Sequence, residues 1–269
     1  AISVESSLSS RSVFKSEIHK LKNHSGQRIV AANIWKLLDK SEIVLSHKNC
    51  DRMQDPYSFR CIPQVHGISR ENYKCAKKIV ENEANSVSDN PLIMPNQKIL
   101  NSGHFHAESI AQAMDNLAIA ISEIGSISER RVHYFMKGVK DVIPPFVAKN
   151  PGLESGYMIA HVTATALASE NKTLSHPASI DSLPTSGGQE DLVSMAPWAA
   201  QKLLNIQYNI SSIIAIELIV AGAANFIASN KFVPGKGTGP ILEILKNHCD
   251  YNNGDRHLTS EIENITDLI

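Results

Sequence analysis

The sequence predicts an all-α protein, a bundle of long antiparallel helices completed by association with other chains. Three observations carry this. Apolar residues recur at three- and four-residue spacing over long stretches, as in Met114, Leu117, Ile121, Ile124 and Ile127. No Asn-Gly or Asp-Gly pair lies between alternating runs, and Asn253-Gly254-Asp255 falls in a polar loop. The longest helical patterns, 105–137 and 189–228, outrun a chain of 269 residues. A helix of about forty residues is about 60 Å long, against a radius of gyration of about 18 Å for a compact monomer of this size. Their apolar faces then need cover from other chains or from a missing part of this one.

Taken in order, residues 2–9 and 14–21 read as short helices, and Asn23-His24-Ser25-Gly26 as a turn. Ile29, Ala32, Ile34 and Leu37 mark a helix over 27–38. Residues 53–67 read as irregular, because Pro56 and Pro63 oppose a regular helix. A helix over 69–85 starts at a Ser69 cap and ends before the polar run 86–90 and Pro91. The helix over 105–137 is stopped by Gly138 and then Pro144-Pro145. A shorter helix covers 154–169. In the helix over 189–228, Pro197 either kinks the first turns or marks the true start. A loop over 231–239 and two short helices complete the chain.

Composition excludes several classes. The length suits one large or two small domains. A net charge of −1 implies neither nucleic acid nor an anionic membrane as partner. Cys50, Cys61, Cys75 and Cys249 show no CxxC spacing and fit reduced thiols in a cytoplasmic protein. The polar, serine-rich stretch 1–12 is unlike a signal peptide, and a start at Ala1 suggests a fragment or a processed product. Residues 211–228 are nearly long enough to span a bilayer, but Glu217 and Asn225 and the lack of a basic flank favour a buried bundle helix.

Residues 54–64, QDPYSFRCIPQ, gather an acid, a phenol, a guanidinium and two amides around two prolines. Arg60 suits a carboxylate clamp, since its planar fork matches two oxygens at once. A polar turn with Arg60 paired to Asp55 is the alternative. Glu190, beside Asp191 at the predicted start of a long helix, is a catalytic candidate or a helix cap. His104 and His106, two residues apart, lack a zinc pattern, so no metal is expected. GKGTG at 235–239 lacks P-loop spacing, and no GxSxG elbow supports a serine hydrolase.

Residues 54–64 closely resemble the QDPYSxRCxPQ signature of the histidine ammonia-lyase family, within the wider aromatic amino acid lyases. Residues 102–108 (SGHFHAE) are similar to the family's GGNFHAEP segment, and 186–195 (SGGQEDLVSM) to its SANQEDHVSM segment. NSVSDNPL, SEIGSISERR and SENK lie between them in the same order, and the resemblance covers nearly the whole chain. It implies one helical unit, 1–269, that is the C-terminal half of a lyase eliminating ammonia from L-histidine to give urocanate.

By that resemblance Arg60 binds the substrate carboxylate and Tyr57 sits beside the electrophile. Phe105 walls the pocket, Gln54 lines it, and Glu190 contacts the imidazole. The family's electrophile, a methylideneimidazolone made from Ala-Ser-Gly, is not encoded here, because the sequence has no Ala-Ser-Gly. The resemblance also implies a homotetramer with shared active sites. His104, Ser109 and Leu192 depart from the family's Asn, Pro and His and leave the substrate open among histidine, phenylalanine and tyrosine. A lyase or aminomutase of those substrates, and a non-catalytic interaction module, are the alternatives.

Overall fold

The computed structural model describes residues 1–47, 53–139, 142–228 and 232–269. Four short elements open the chain: α1 (Ile2–Ser6), α2 (Ser16–Lys20), α3 (Ser25–Leu37) and α4 (Glu42–Ser46). A 3-10 turn at Arg11–Phe14 precedes α2. α4 was not legible in the sequence. It is capped by Ser41, whose hydroxyl accepts from Val44 N at 3.2 Å and donates to the buried Glu5.

The segment expected to be irregular is largely helical. α5 (Tyr57–Arg60) is one turn, and α6 (Ile62–Ala84) follows after Cys61. Pro63 lies in the first turn of α6, where its missing N–H costs nothing and its fixed φ suits the helix. Ser69 is therefore not a cap. It sits inside α6, and its hydroxyl donates to Val65 O and across to Ala120 O at 2.8 Å.

The fold is all-α as expected, with a single hairpin of two-residue strands among the described residues, formed by β1 (Leu92–Ile93) and β2 (Ile99–Leu100). Its turn is built on Pro95 and Asn96, closed by Gln97 N to Met94 O at 2.8 Å. Three long helices follow: α7 (Glu108–Met136), α8 (Met158–Leu174) and α9 (Ala196–Ala228). α7 ends before Gly138, whose φ of +79° suits a residue without a Cβ. α9 begins next to Pro197, so the proline marks its start and the preceding 189–195 are not helical. α10 (Gly239–His248) and α11 (Thr259–Leu268) are the two short final helices. The expected loop over 231–239 begins at Lys231, outside the described residues. Further on, Lys236 N and Gly237 N bond to Asp39 O and Leu37 O.

The bundle is organised around α7 and α9. They run parallel, contrary to the antiparallel pairing expected for the helices over 105–137 and 189–228. Asp115 faces Lys202 at 3.4 Å, and Arg131 faces Glu217 at 2.5 Å, so both helices advance together. α8 explains the direction. It returns antiparallel to α7, with Ser122 meeting Ser175 and Glu129 meeting His161, and this brings α9 back up. α6 is also antiparallel to α7, as Ser69 to Ala120 and Glu83 to Ser109 show.

α9 is long and apolar enough to cross a membrane. Here its second half is core: Ile213, Ile216, Ile219 and Val220 are buried among α7, α1 and α11. The stretch 211–228 is thus covered within the chain, and the apolar residues left exposed lie earlier, at Trp198, Leu204 and Tyr208. Glu217 has no need of a partner across an interface. It accepts from Arg131, Ser128 and Ser3 of its own chain, and its pKa is lowered, not raised.

α3 and α6 approach through two glycines. A Cβ on Gly26 would lie 2.2 Å from Gly67 O, and one on Gly67 would lie 2.5 Å from Gln27 N. Both obstacles are backbone, so relief requires the helices to part. Gly26→Ala or Gly67→Ala is expected to destabilise the fold by about 1–3 kcal/mol, the cost of overpacking. Thermal unfolding checks this, and an unchanged midpoint would refute so close a crossing.

Candidate active site

Two clusters hold the residues singled out from the sequence. The first is the turn before α6. Pro56 precedes α5, and the single turn of α5 brings Tyr57 and Arg60 together, with the Arg60 guanidinium carbon 4.7 Å from the Tyr57 ring centre. Tyr57 is 71% exposed. Arg60 and Asp55 are not an ion pair among the described residues. The Asp55 carboxylate instead accepts from Ser10 N at 2.8 Å. Arg60 has no hydrogen-bond or ion-pair partner among the described residues, and its Nε is buried. Gln54, Asp55 and Arg60 line a cavity of about 560 Å³, a size typical of small-molecule sites. Arg11, Lys15, Trp35 and Lys40 line it too. No motif or spacing marks these four, because they arrive from a separate segment.

The second cluster joins the start of α7 to the loop before α9. Phe105, 60% exposed, lies in the short link between the hairpin and α7. The next residue, His106, places Nε2 3.1 Å from Leu192 O and so ties this turn to the loop carrying Glu190. That loop is held by Thr185 N to Glu190 O at 2.9 Å and by three successive left-handed residues, Ser186, Gly187 and Gly188. Glu190 is exposed and lies outside any α-helix, so helix capping does not account for it. The Thr185 hydroxyl donates to its Oε2 at 2.5 Å. That bond and a second from the Ser186 hydroxyl hold its pKa below the usual carboxylate value.

The two clusters sit at opposite ends of α6 and α7. Ser58 O accepts from Arg131 near the end of α7, whereas Glu83 meets Ser109 at its start. At 1.5 Å per residue the intervening helix is about 30 Å long. Tyr57, Arg60 and Gln54 therefore cannot share a pocket with Phe105 and Glu190 of the same chain.

No group of three His, Cys, Asp or Glu side chains placed to hold a metal occurs among the described residues. Cys61, Cys75 and Cys249 are free thiols, and Cys50 lies outside the described residues. For an electrophile made from Ala-Ser-Gly the sequence supplies no precursor. The Phe105 ring and the Tyr57 phenol are both exposed at the surface of this chain.

A sequence profile of the aromatic amino acid lyase family matches residues 1–247. The chain is 46% identical to the histidine ammonia-lyase of Burkholderia ambifaria over 270 residues, covering all of this chain and 53% of that protein. It is 53% identical to the Burkholderia mallei enzyme of the same name over 222 residues, 82% of this chain and 44% of that one. Among solved structures, histidine ammonia-lyase from Trypanosoma cruzi superposes with a TM-score of 0.88 at 37% identity, over 99% of this chain and 50% of that one. Pantoea agglomerans phenylalanine aminomutase superposes with a TM-score of 0.91 at 30% identity, over 98% of this chain and 55% of that one. The chain belongs to the aromatic amino acid lyase family. It spans about half the length of the curated relatives it matches.

Proposed function

We propose that the chain is the C-terminal part of a cytoplasmic histidine ammonia-lyase, which eliminates ammonia from L-histidine to give urocanate. The observation that carries this reading is Arg60, a guanidinium with no carboxylate partner among the described residues, beside a cavity of small-molecule size. The identity to histidine ammonia-lyases over the whole chain supports the substrate.

In this reading Arg60 grips the substrate carboxylate through two parallel hydrogen bonds and fixes the amino acid's orientation. Gln54 lines the same side, and the Tyr57 phenol reaches over the reacting carbons. Glu190, kept ionised by the Thr185 and Ser186 hydroxyls, accepts from the imidazole N–H and so favours histidine over phenylalanine. Phe105 walls the site. A methylideneimidazolone supplied by the other half of the enzyme would make elimination feasible by drawing electrons from the substrate.

Since the two clusters lie about 30 Å apart, a working site needs ends from different chains. The apolar residues exposed on α9 and on α8, including Ile159 and Val162, are candidate contact surfaces for a homotetramer. The enzyme containing this chain is expected to convert L-histidine in preference to L-phenylalanine and L-tyrosine. The absorbance of the unsaturated products reads this directly, and turnover of the phenyl substrates alone would replace the reading with a phenylalanine or tyrosine enzyme.

A further inference from the structure

The cavity beside Arg60 holds more positive charge than one substrate carboxylate requires. Arg11, Lys15 and Lys40 line it together with Arg60, and Asp55 is the one acid among its described lining residues. Of the other carboxylates described nearby, Asp39 offsets part of the Arg11 charge and Glu5 is turned to other donors. Asp39 pairs with Arg11 at 3.6 Å and Lys236 at 3.7 Å, while Glu5 accepts from Ser41 and Gly235 N. Lys15 and Lys40 are exposed and have no ion-pair partner among the described residues. Arg11 is fixed in place. It stacks 3.8 Å from the Trp35 ring centre and donates to Trp35 O. Leu38, Val44 and Leu45 add apolar surface to the lining.

We propose that this cavity contains a second anion subsite, on Arg11, Lys15 and Lys40, that binds a small aromatic carboxylate next to the Arg60 clamp. The cationic rim takes the carboxylate, and the cleft concentrates its field. The apolar surface takes the ring. A volume of about 560 Å³ leaves room for such a ligand beside the one that Arg60 holds. The inference rests on the proposed function only in treating Arg60 as a separate clamp.

Trp35 offers a readout independent of activity. Trp198→Phe removes the second tryptophan of this chain, and the quenching assigned to Trp35 is the part that Trp35→Phe abolishes. Benzoate is titrated into the assembled protein with excitation at the red edge of the indole band, and neutral benzamide serves as control. Saturable quenching by benzoate, retained in Arg60→Ala and weakened about tenfold or more in Lys15→Gln/Lys40→Gln, is the expected result. Those lysines are exposed, so the double variant avoids the structural contacts of Arg11; Arg11→Gln then extends the series where circular dichroism shows it folded. Binding that is lost in Arg60→Ala and unchanged in the lysine variant would overturn the second subsite while leaving the carboxylate clamp intact. Absence of benzoate binding in every variant, or equal binding of benzamide, would overturn it as well.

Discussion

Arg60→Ala is expected to lower kcat/KM of the enzyme containing this chain by about 2–5 kcal/mol of transition-state stabilisation. That is roughly a 30- to 5,000-fold loss. The expectation follows from the missing partner. An arginine already neutralised by Asp55 would lose little function on truncation, but Asp55 is engaged by Ser10 and Arg60 has no ion-pair partner among the described residues. Arg60→Lys keeps the charge and loses the planar fork, so it should recover only part of the loss. Steady-state kinetics with L-histidine measures both. An unchanged kcat/KM in Arg60→Ala would remove Arg60 from the site and the proposed carboxylate clamp with it.

Glu217→Gln should be the most destabilising single change in the bundle, at about 3–5 kcal/mol, because it leaves the Arg131 guanidinium buried beside a neutral amide. Glu217 accepts from Arg131 Nε at 2.5 Å and Nη2 at 2.7 Å, from Ser128 at 2.5 Å, and from Ser3. Burial alone would raise its pKa, but the Arg131 charge and these hydrogen bonds outweigh burial and hold it at about 2, against an ordinary 4.5. A depressed carboxylate stabilises the fold fully above its unfolded value. The contribution, about 3 kcal/mol, is then lost as pH falls from about 4.5 towards 2. Denaturant unfolding followed from pH 7 to pH 2 should show a steep acid decline in the native chain and a flatter one in Glu217→Gln. Equal slopes would mean that the pair does not govern acid stability.

Much of this was legible because helical periodicity is local. The apolar positions of α7 and the proline at the start of α9 could be read from neighbouring residues. The matched motifs placed Tyr57, Arg60, Phe105 and Glu190 in the sequence, but not in space. What the sequence hid depended on distant partners. Glu217 looked stranded in an apolar run because Arg131 lies 86 positions away. Pro63 looked like a breaker because its effect depends on where the helix begins. Glu190 looked like a first-turn residue because nothing nearby showed that Met195, at a φ of +57°, separates its loop from α9. The α3–α6 crossing could not be foreseen, since Gly26 and Gly67 gain meaning only when they meet.

The span of α6 between the two clusters bears on inheritance. On the proposed reading, one copy damaged at Arg60 and another damaged at Glu190 each keep one sound end. Where both are made in the same cell, mixed assemblies bring a sound Arg60 end against a sound Glu190 end and restore some sites. Two defective alleles can then complement each other when their lesions fall at opposite ends of α6, but not when both fall at the same end.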